Sequence, residues 1–204
     1  MPSFTAPKIK EISMKICVYC ASSKLIPQSY LDQAAILTRL MVDNGHEIVY
    51  GGGSRGLMGQ VADTCLSLNG RITGIIPGFM KEVEWDHKEV EDMIIVKDMA
   101  ERKRRFLEES DVLLTLPGGV GTLEELSEAL SSKRLALIKH PIIIANFDGF
   151  YDEFLVYLNK MVDERFMGEQ GRDLWTVIDK PEQIVDAISN AQPWPDNAPK
   201  TESF

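Results

Sequence analysis

The chain has 204 residues, 44% of them hydrophobic, enough for one sizeable core and too few for two ordinary domains. Its 22 basic and 31 acidic residues leave a formal charge of −9, which argues against nucleic acid or an anionic membrane as the main partner. A small anion held by a local basic cluster is still allowed. Residues 1–13 carry no apolar core of signal-peptide length, and no run of about 18 apolar residues offers a membrane span, so a soluble, cytoplasmic protein is expected.

In chain order, the spacing predicts a strand over 15–20, a helix over 29–44, a strand over 47–50 and a helix over 57–68. Strands over 71–76 and 93–97 follow, then a helix over 99–109 and a strand over 112–116. The last elements are a helix over 122–134, a strand over 142–147, a helix over 151–163, a strand over 175–178 and a helix over 181–190. Near-continuous apolar strands bounded by Gly, Pro or Asp suit a parallel sheet covered on both faces. The β–α alternation reads as one doubly wound, Rossmann-like α/β domain over 14–190, with a mostly parallel sheet of about seven strands. Right-handed crossovers then line up the loops after the strands along one carboxyl edge, where ligands bind. Residues 1–13 and 191–204 are expected to be flexible tails, the second being polar and proline-rich.

Several motifs fall on that edge. Cys17-Val18-Tyr19-Cys20 spells CxxC, but on a strand positions i and i+3 face opposite ways. With no second CxxC and no histidine pair, these read as buried strand cysteines and no metal is expected. Gly51, Gly53 and Gly56 match GxGxxG, yet the next strand ends in Ile75-Ile76-Pro77 with no acid for a ribose hydroxyl, which disfavours a dinucleotide. The same glycines still let a nucleotide approach the backbone. Glu82, Glu84 and Asp86 lie in a polar stretch that reads as a surface loop at the place where a lid would sit. In the basic run Arg102 to Arg105, Arg102 shares a helix face with Met99 and Phe106 and so points inward, where it needs an anionic partner. Arg104 and Arg105 read as solvent contacts, and Lys103 is open.

The most informative stretch runs from Leu116 to Glu125: Leu-Pro-Gly-Gly-Val-Gly-Thr-Leu-Glu-Glu. A buried strand turns through three glycines into a helix, where bare N–H groups and the helix dipole suit a phosphate. Glu124 and Glu125 lie within a turn of that anion, which calls for a reason other than binding. One bland reading of Thr122-Leu123-Glu124-Glu125 is a capping box, in which Glu125 only satisfies the helix start.

Together these features resemble the Lonely Guy (LOG) family of nucleotide phosphoribohydrolases. The family pattern PGGxGTxxE is met by Pro117, Gly118, Gly119, Gly121, Thr122 and Glu125, and its upstream Met-x-x-Arg-Lys by Met99, Arg102 and Lys103. Tyr50-Gly51-Gly52-Gly53, Gly56-Leu57-Met58-Gly59 and Phe147-Asp148-Gly149-Phe150-Tyr151 are also similar. The resemblance implies Arg102 and Glu125 as the catalytic pair. It implies Gly118, Gly119, Val120, Gly121 and Thr122 as the phosphate turn. Glu84, Lys103 and Ser131 become further nucleotide-binding positions, with Gly52, Gly53, Met99 and Glu124 as possible contacts. Ser132-Lys133-Arg134 stands where members often have Trp-Ala-Gln, and Ala21 where they often have Gly, so the base pocket and subunit contacts depart from the pattern.

The implied activity is hydrolysis of the N-glycosidic bond of a cytokinin riboside 5′-monophosphate to free base and ribose 5-phosphate, without cofactor or metal, by a homodimer or higher homo-oligomer. AMP is the close alternative substrate. A non-catalytic nucleotide or pterin-cofactor carrier on the same fold is the alternative of a different class, because fold does not fix function. The lysine decarboxylase label sometimes given to such chains finds no sign of a pyridoxal phosphate site here.

Overall fold

The computed structural model describes residues 13–82, 86–191 and 194–195. Seven strands form one sheet in which every pairing is parallel: β1 Lys15–Tyr19, β2 Glu47–Tyr50, β3 Ile72–Pro77, β4 Asp92–Val96, β5 Val112–Thr115, β6 Ile142–Ala145 and β7 Thr176–Ile178. The spatial order is β4-β3-β2-β1-β5-β6-β7. The chain thus winds outward from β1 in one direction and then, after β4, returns to its other side. That reversal between β1 and β5 is the switch point at which doubly wound sheets open a crevice.

Strand alternation explains the two layers of helix. Ile16, Val18 and Cys20 point into one core with α1 (Gln28–Asp43), α2 (Gly56–Ser67) and α7 (Ile184–Ser189). Cys17 and Tyr19 point into the other, with α4 (Met99–Glu108), α5 (Val120–Arg134) and α6 (Asp152–Asp163). Both faces of the central strands are therefore apolar, as an all-parallel sheet requires. The cysteines divide between the cores as strand geometry demands; all three are buried and unpaired.

Strand and helix boundaries agree with the sequence expectations to within a residue or two, except that the last helix, expected from residue 181, begins at Ile184 after a 3-10 turn over Pro181–Gln183; three further differences stand out. The stretch after β3, expected as loop, begins with a short helix, α3 (Gly78–Glu82). Asp86, expected at the surface, is buried: it bridges Gly53 and accepts a 2.7 Å bond from Lys88. The expected C-terminal tail contributes to the core, because Trp194 is only 6% exposed and packs in the second cluster. Its ring lies 5.6 Å from Nζ of Lys133, a buried lysine that also donates to the Leu174 carbonyl at 2.9 Å. Burial pulls the Lys133 ammonium down to about 8.

Trp194→Ala removes a large buried ring and is expected to lower unfolding stability by about 3 kcal/mol. A urea titration checks this; a change under about 0.5 kcal/mol is the mark of a solvent-facing side chain instead.

Candidate active site

Four strand ends, those of β1, β2, β3 and β5, build the site. After β5, the Leu116 N–H donates to Tyr19 and the Ala21 N–H to Pro117, which ties the glycine turn to the end of β1. From the other side the buried Tyr151 hydroxyl donates to the Leu116 carbonyl at 2.8 Å. Tyr151 is set in turn by its own N–H, which donates to Asn146 Oδ1 at 2.7 Å. The role of the Phe147–Tyr151 stretch is thus to brace the turn. Thr122 folds back over it so closely that a Cβ on Gly118 would lie 2.1 Å from Thr122 Oγ1. Only glycine fits there.

Helix α5 begins at Val120 with Gly119 as its N-cap, and no side chain caps it. The first helical bond runs from the Leu123 N–H to the Gly119 carbonyl, so the amides of Val120, Gly121 and Thr122 precede the helical ladder. Bare N–H groups at a helix N-terminus are suited to an anion. This removes the capping-box reading. Thr122 is the third residue of the helix, and Glu125 reaches back to no cap; its carboxylate has another place.

That place is opposite Arg102. Helix α4 is capped by Asp98, whose side chain accepts from the Glu101 N–H at 2.8 Å, and its inward face carries Arg102 and Phe106. Arg102 and Glu125 are 5% and 7% exposed. Nη1 of Arg102 lies 3.8 Å from Oε1 of Glu125, too far for a hydrogen bond. Instead Nε donates to the Ile75 carbonyl and Nη2 to the Gly51 carbonyl. Burial pushes the Glu125 carboxyl up to about 7 against the pull of Arg102, with Glu124 adding to the rise. Burial likewise lowers the Arg102 guanidinium, and Glu125 opposes that shift.

The pair lines a cavity of about 490 Å³ at the carboxyl edge. Gly53, Met99, Gly119, Val120, Gly121, Thr122 and Glu124 line it too, in keeping with their sequence assignment. Lys103, Ser131, Gly52 and Gly118 lie outside the lining. Lys103 Nζ is instead held by Glu124 at 2.5 Å and Glu128 at 2.6 Å, and Ser131 is exposed on α5. Gly52 and Gly118 shape the turns from behind. Glu84 lies outside the described residues. Sequence reasoning missed Cys20 to Ser23, Ser54, Arg55, Met58, Ile76 and Met80. Most of them directly follow β1 or β2 or end β3, so the carboxyl-edge rule was the signal available for them.

A family model described as "possible lysine decarboxylase" matches residues 58–188. The cytokinin riboside 5′-monophosphate phosphoribohydrolase LOG of Oryza sativa subsp. japonica is 40% identical over 158 residues, covering 78% of this chain and 65% of that protein. Its counterpart LOG5 of Arabidopsis thaliana is 34% identical over 185 residues, covering 91% and 81%. The chain belongs to the Lonely Guy family. Among solved structures, the molybdenum cofactor binding protein of Rippkaea orientalis has a TM-score of 0.66 at 21% identity, covering 88% of this chain and 97% of that one. The molybdenum cofactor carrier protein of Chlamydomonas reinhardtii has a TM-score of 0.67 at 19% identity, covering 88% and 98%. These likenesses show a shared fold. The decarboxylase wording of the LOG family model does not fit the cavity's chemistry: no lysine is among the described residues that line it, so none is there to form a pyridoxal Schiff base.

A carboxyl that rises from 4.5 to about 7 on folding costs the fold on the order of 3 kcal/mol once both states are ionised. The cost is absent below the unfolded value, grows as pH rises, and is complete above about 7. Glu125→Gln is therefore expected to unfold at a higher temperature than wild type at pH 8, with the advantage vanishing near pH 4. Calorimetry at the two pH values measures it.

Proposed function

We propose that this chain hydrolyses the N-glycosidic bond of an adenine-type nucleoside 5′-monophosphate, with a cytokinin riboside 5′-monophosphate as substrate. The observation that carries this reading is a buried carboxylate, held near neutrality beside a fixed guanidinium, in the same cavity as an uncapped helix N-terminus.

The amides of Val120, Gly121 and Thr122 take the 5′-phosphate, so that binding energy from a group that does not react fixes the sugar in place. Cleavage breaks the bond between C1′ and the base nitrogen, and positive charge develops on the ribose ring. The Glu125 carboxylate stabilises that charge and takes a proton from the water whose oxygen bonds to C1′. The departing base takes up a proton from solvent, Glu125 returns to solvent the proton it took, and ribose 5-phosphate is left. Arg102 holds Glu125 partly ionised and offers its remaining donors to the phosphate or the leaving base.

Met58, Ile76, Met80 and Met99 give the cavity an apolar lining, which supports an N6-substituted base over plain AMP. A cytoplasmic homodimer or higher homo-oligomer is part of the same reading. It is supported by Val120 and Leu123, apolar side chains 87% and 39% exposed on the first turn of α5. Among the described residues no helix is long and apolar enough to cross a membrane.

Incubation with isopentenyladenosine monophosphate and with AMP, followed by chromatography, is expected to yield free base from both, faster from the former. Saturable binding without release of base supports a carrier instead. Glu125→Gln is expected to lose at least about 100-fold in kcat while keeping its fold by circular dichroism. Because the ionised form of Glu125 acts, kcat/KM of the wild type should rise with pH and level off above about 7. A profile that falls through that range assigns Glu125 the role of proton donor.

A further inference from the structure

Arg102 reaches the cavity from α4 across the ends of β2 and β3. Its Nε donates to the Ile75 carbonyl at 3.0 Å, its Nη2 to the Gly51 carbonyl at 2.8 Å, and its guanidinium carbon lies 5.1 Å from the centre of the Phe106 ring. Two of the five N–H donors of a guanidinium are thus fixed by main chain, and Nη1 is left facing Glu125.

The clearance at Gly51 is the tightest constraint on this arrangement. A Cβ built on Gly51 lies 2.4 Å from Nη2 of Arg102, then 3.0 Å from Cε and 3.1 Å from Sδ of Met58. The backbone there is not left-handed, unlike Gly52 next to it, whose φ is +76°. An alanine at position 51 can therefore adopt the local conformation, and what it meets first is the guanidinium.

We propose that Gly51 is a positioning residue of the active site: its missing side chain lets the guanidinium of Arg102 rest on the Gly51 carbonyl and so sets where that charge stands relative to Glu125. The kinetic consequence rests on the hydrolytic reading above; the placement of Arg102 does not. Gly51→Ala forces Nη2 away by on the order of 1 Å to regain ordinary contact. Misplacement of that size at a reacting centre lowers turnover by as much as about 100-fold. Substrate is gripped mainly by the α5 amides, so kcat falls and KM changes little. Weaker attraction from a displaced Arg102 also moves the Glu125-dependent limb of the pH profile upward.

Four variants test this: Gly51→Ala, Met58→Ala, the double variant, and Arg102→Ala. Proton–nitrogen NMR follows the Nε–H signal of Arg102, identified by its loss in Arg102→Ala, and steady-state kinetics follow release of base. The expected results are a folded Gly51→Ala protein with a shifted Arg102 signal and a loss confined to kcat. Removing Met58 in the double variant should restore neither. The proposal is overturned by a Gly51→Ala protein with the wild-type signal and wild-type kcat. Recovery in the double variant also overturns it, since the fault then lies in the contact with Met58. If the wild type releases no base, the hydrolytic reading fails, and the NMR arm still decides the role of Gly51.

Discussion

The site depends on two opposite charges buried within reach of each other yet not bonded. A guanidinium that paired directly with Glu125 through two hydrogen bonds would hold that carboxyl far below neutrality. Here the Arg102 donors go to the carbonyls of Gly51 and Ile75, and 3.8 Å separates Nη1 from the carboxylate. Arg102 contributes attraction without capture. Burial then outweighs it and leaves Glu125 near 7. Both forms of the carboxyl are accessible at neutral pH, the condition under which a proton-transfer group works best.

Only the carboxyl end of a parallel sheet supplies this environment cheaply. The ends of β2 and β3 put two main-chain carbonyls beside an inward-facing helix, and the end of β5 turns bare amides into the same cavity. The acceptors that hold Arg102 and the bare amides of α5 therefore both come from backbone at the sheet's edge. Tyr151 and Ala21 fasten the β5 turn from opposite sides. The stability cost of the buried carboxyl is carried by the two apolar layers on either face of β1.

The sequence made the parallel sheet legible because apolar runs and helical spacing alternate along most of the chain, the one break lying between β3 and β4. Arg102 was readable as inward-facing because Met99 and Phe106 flank it on one helical face, but its partners were not, since a carbonyl leaves no trace in residue identity. The capping box at Thr122 misled for a related reason. Where α5 starts is decided by the backbone of Gly119, and Thr122 is already inside the helix. Trp194 lies in a polar, proline-rich stretch whose composition says nothing of the pocket beside Lys133 that takes its ring. Helix α3, five residues long, is too short for periodicity to register. Met80 was lost from the expected lining with it.

A fold shared with molybdenum cofactor carriers makes the chemistry of this cavity, and not its shape, the discriminating feature. A receptor for a phosphorylated ligand is best served by donors and cations alone. Like charges repel, so if the α5 amides take a phosphate as proposed, a carboxylate on the same helix weakens binding of the resting substrate. Glu125 is also buried, which destabilises the fold at neutral pH. Glu125 balances the buried charge of Arg102, and in the proposed reaction it also faces a group that becomes positive as the bond breaks. The ribose ring of a nucleotide losing its base does become positive, and a carried cofactor does not.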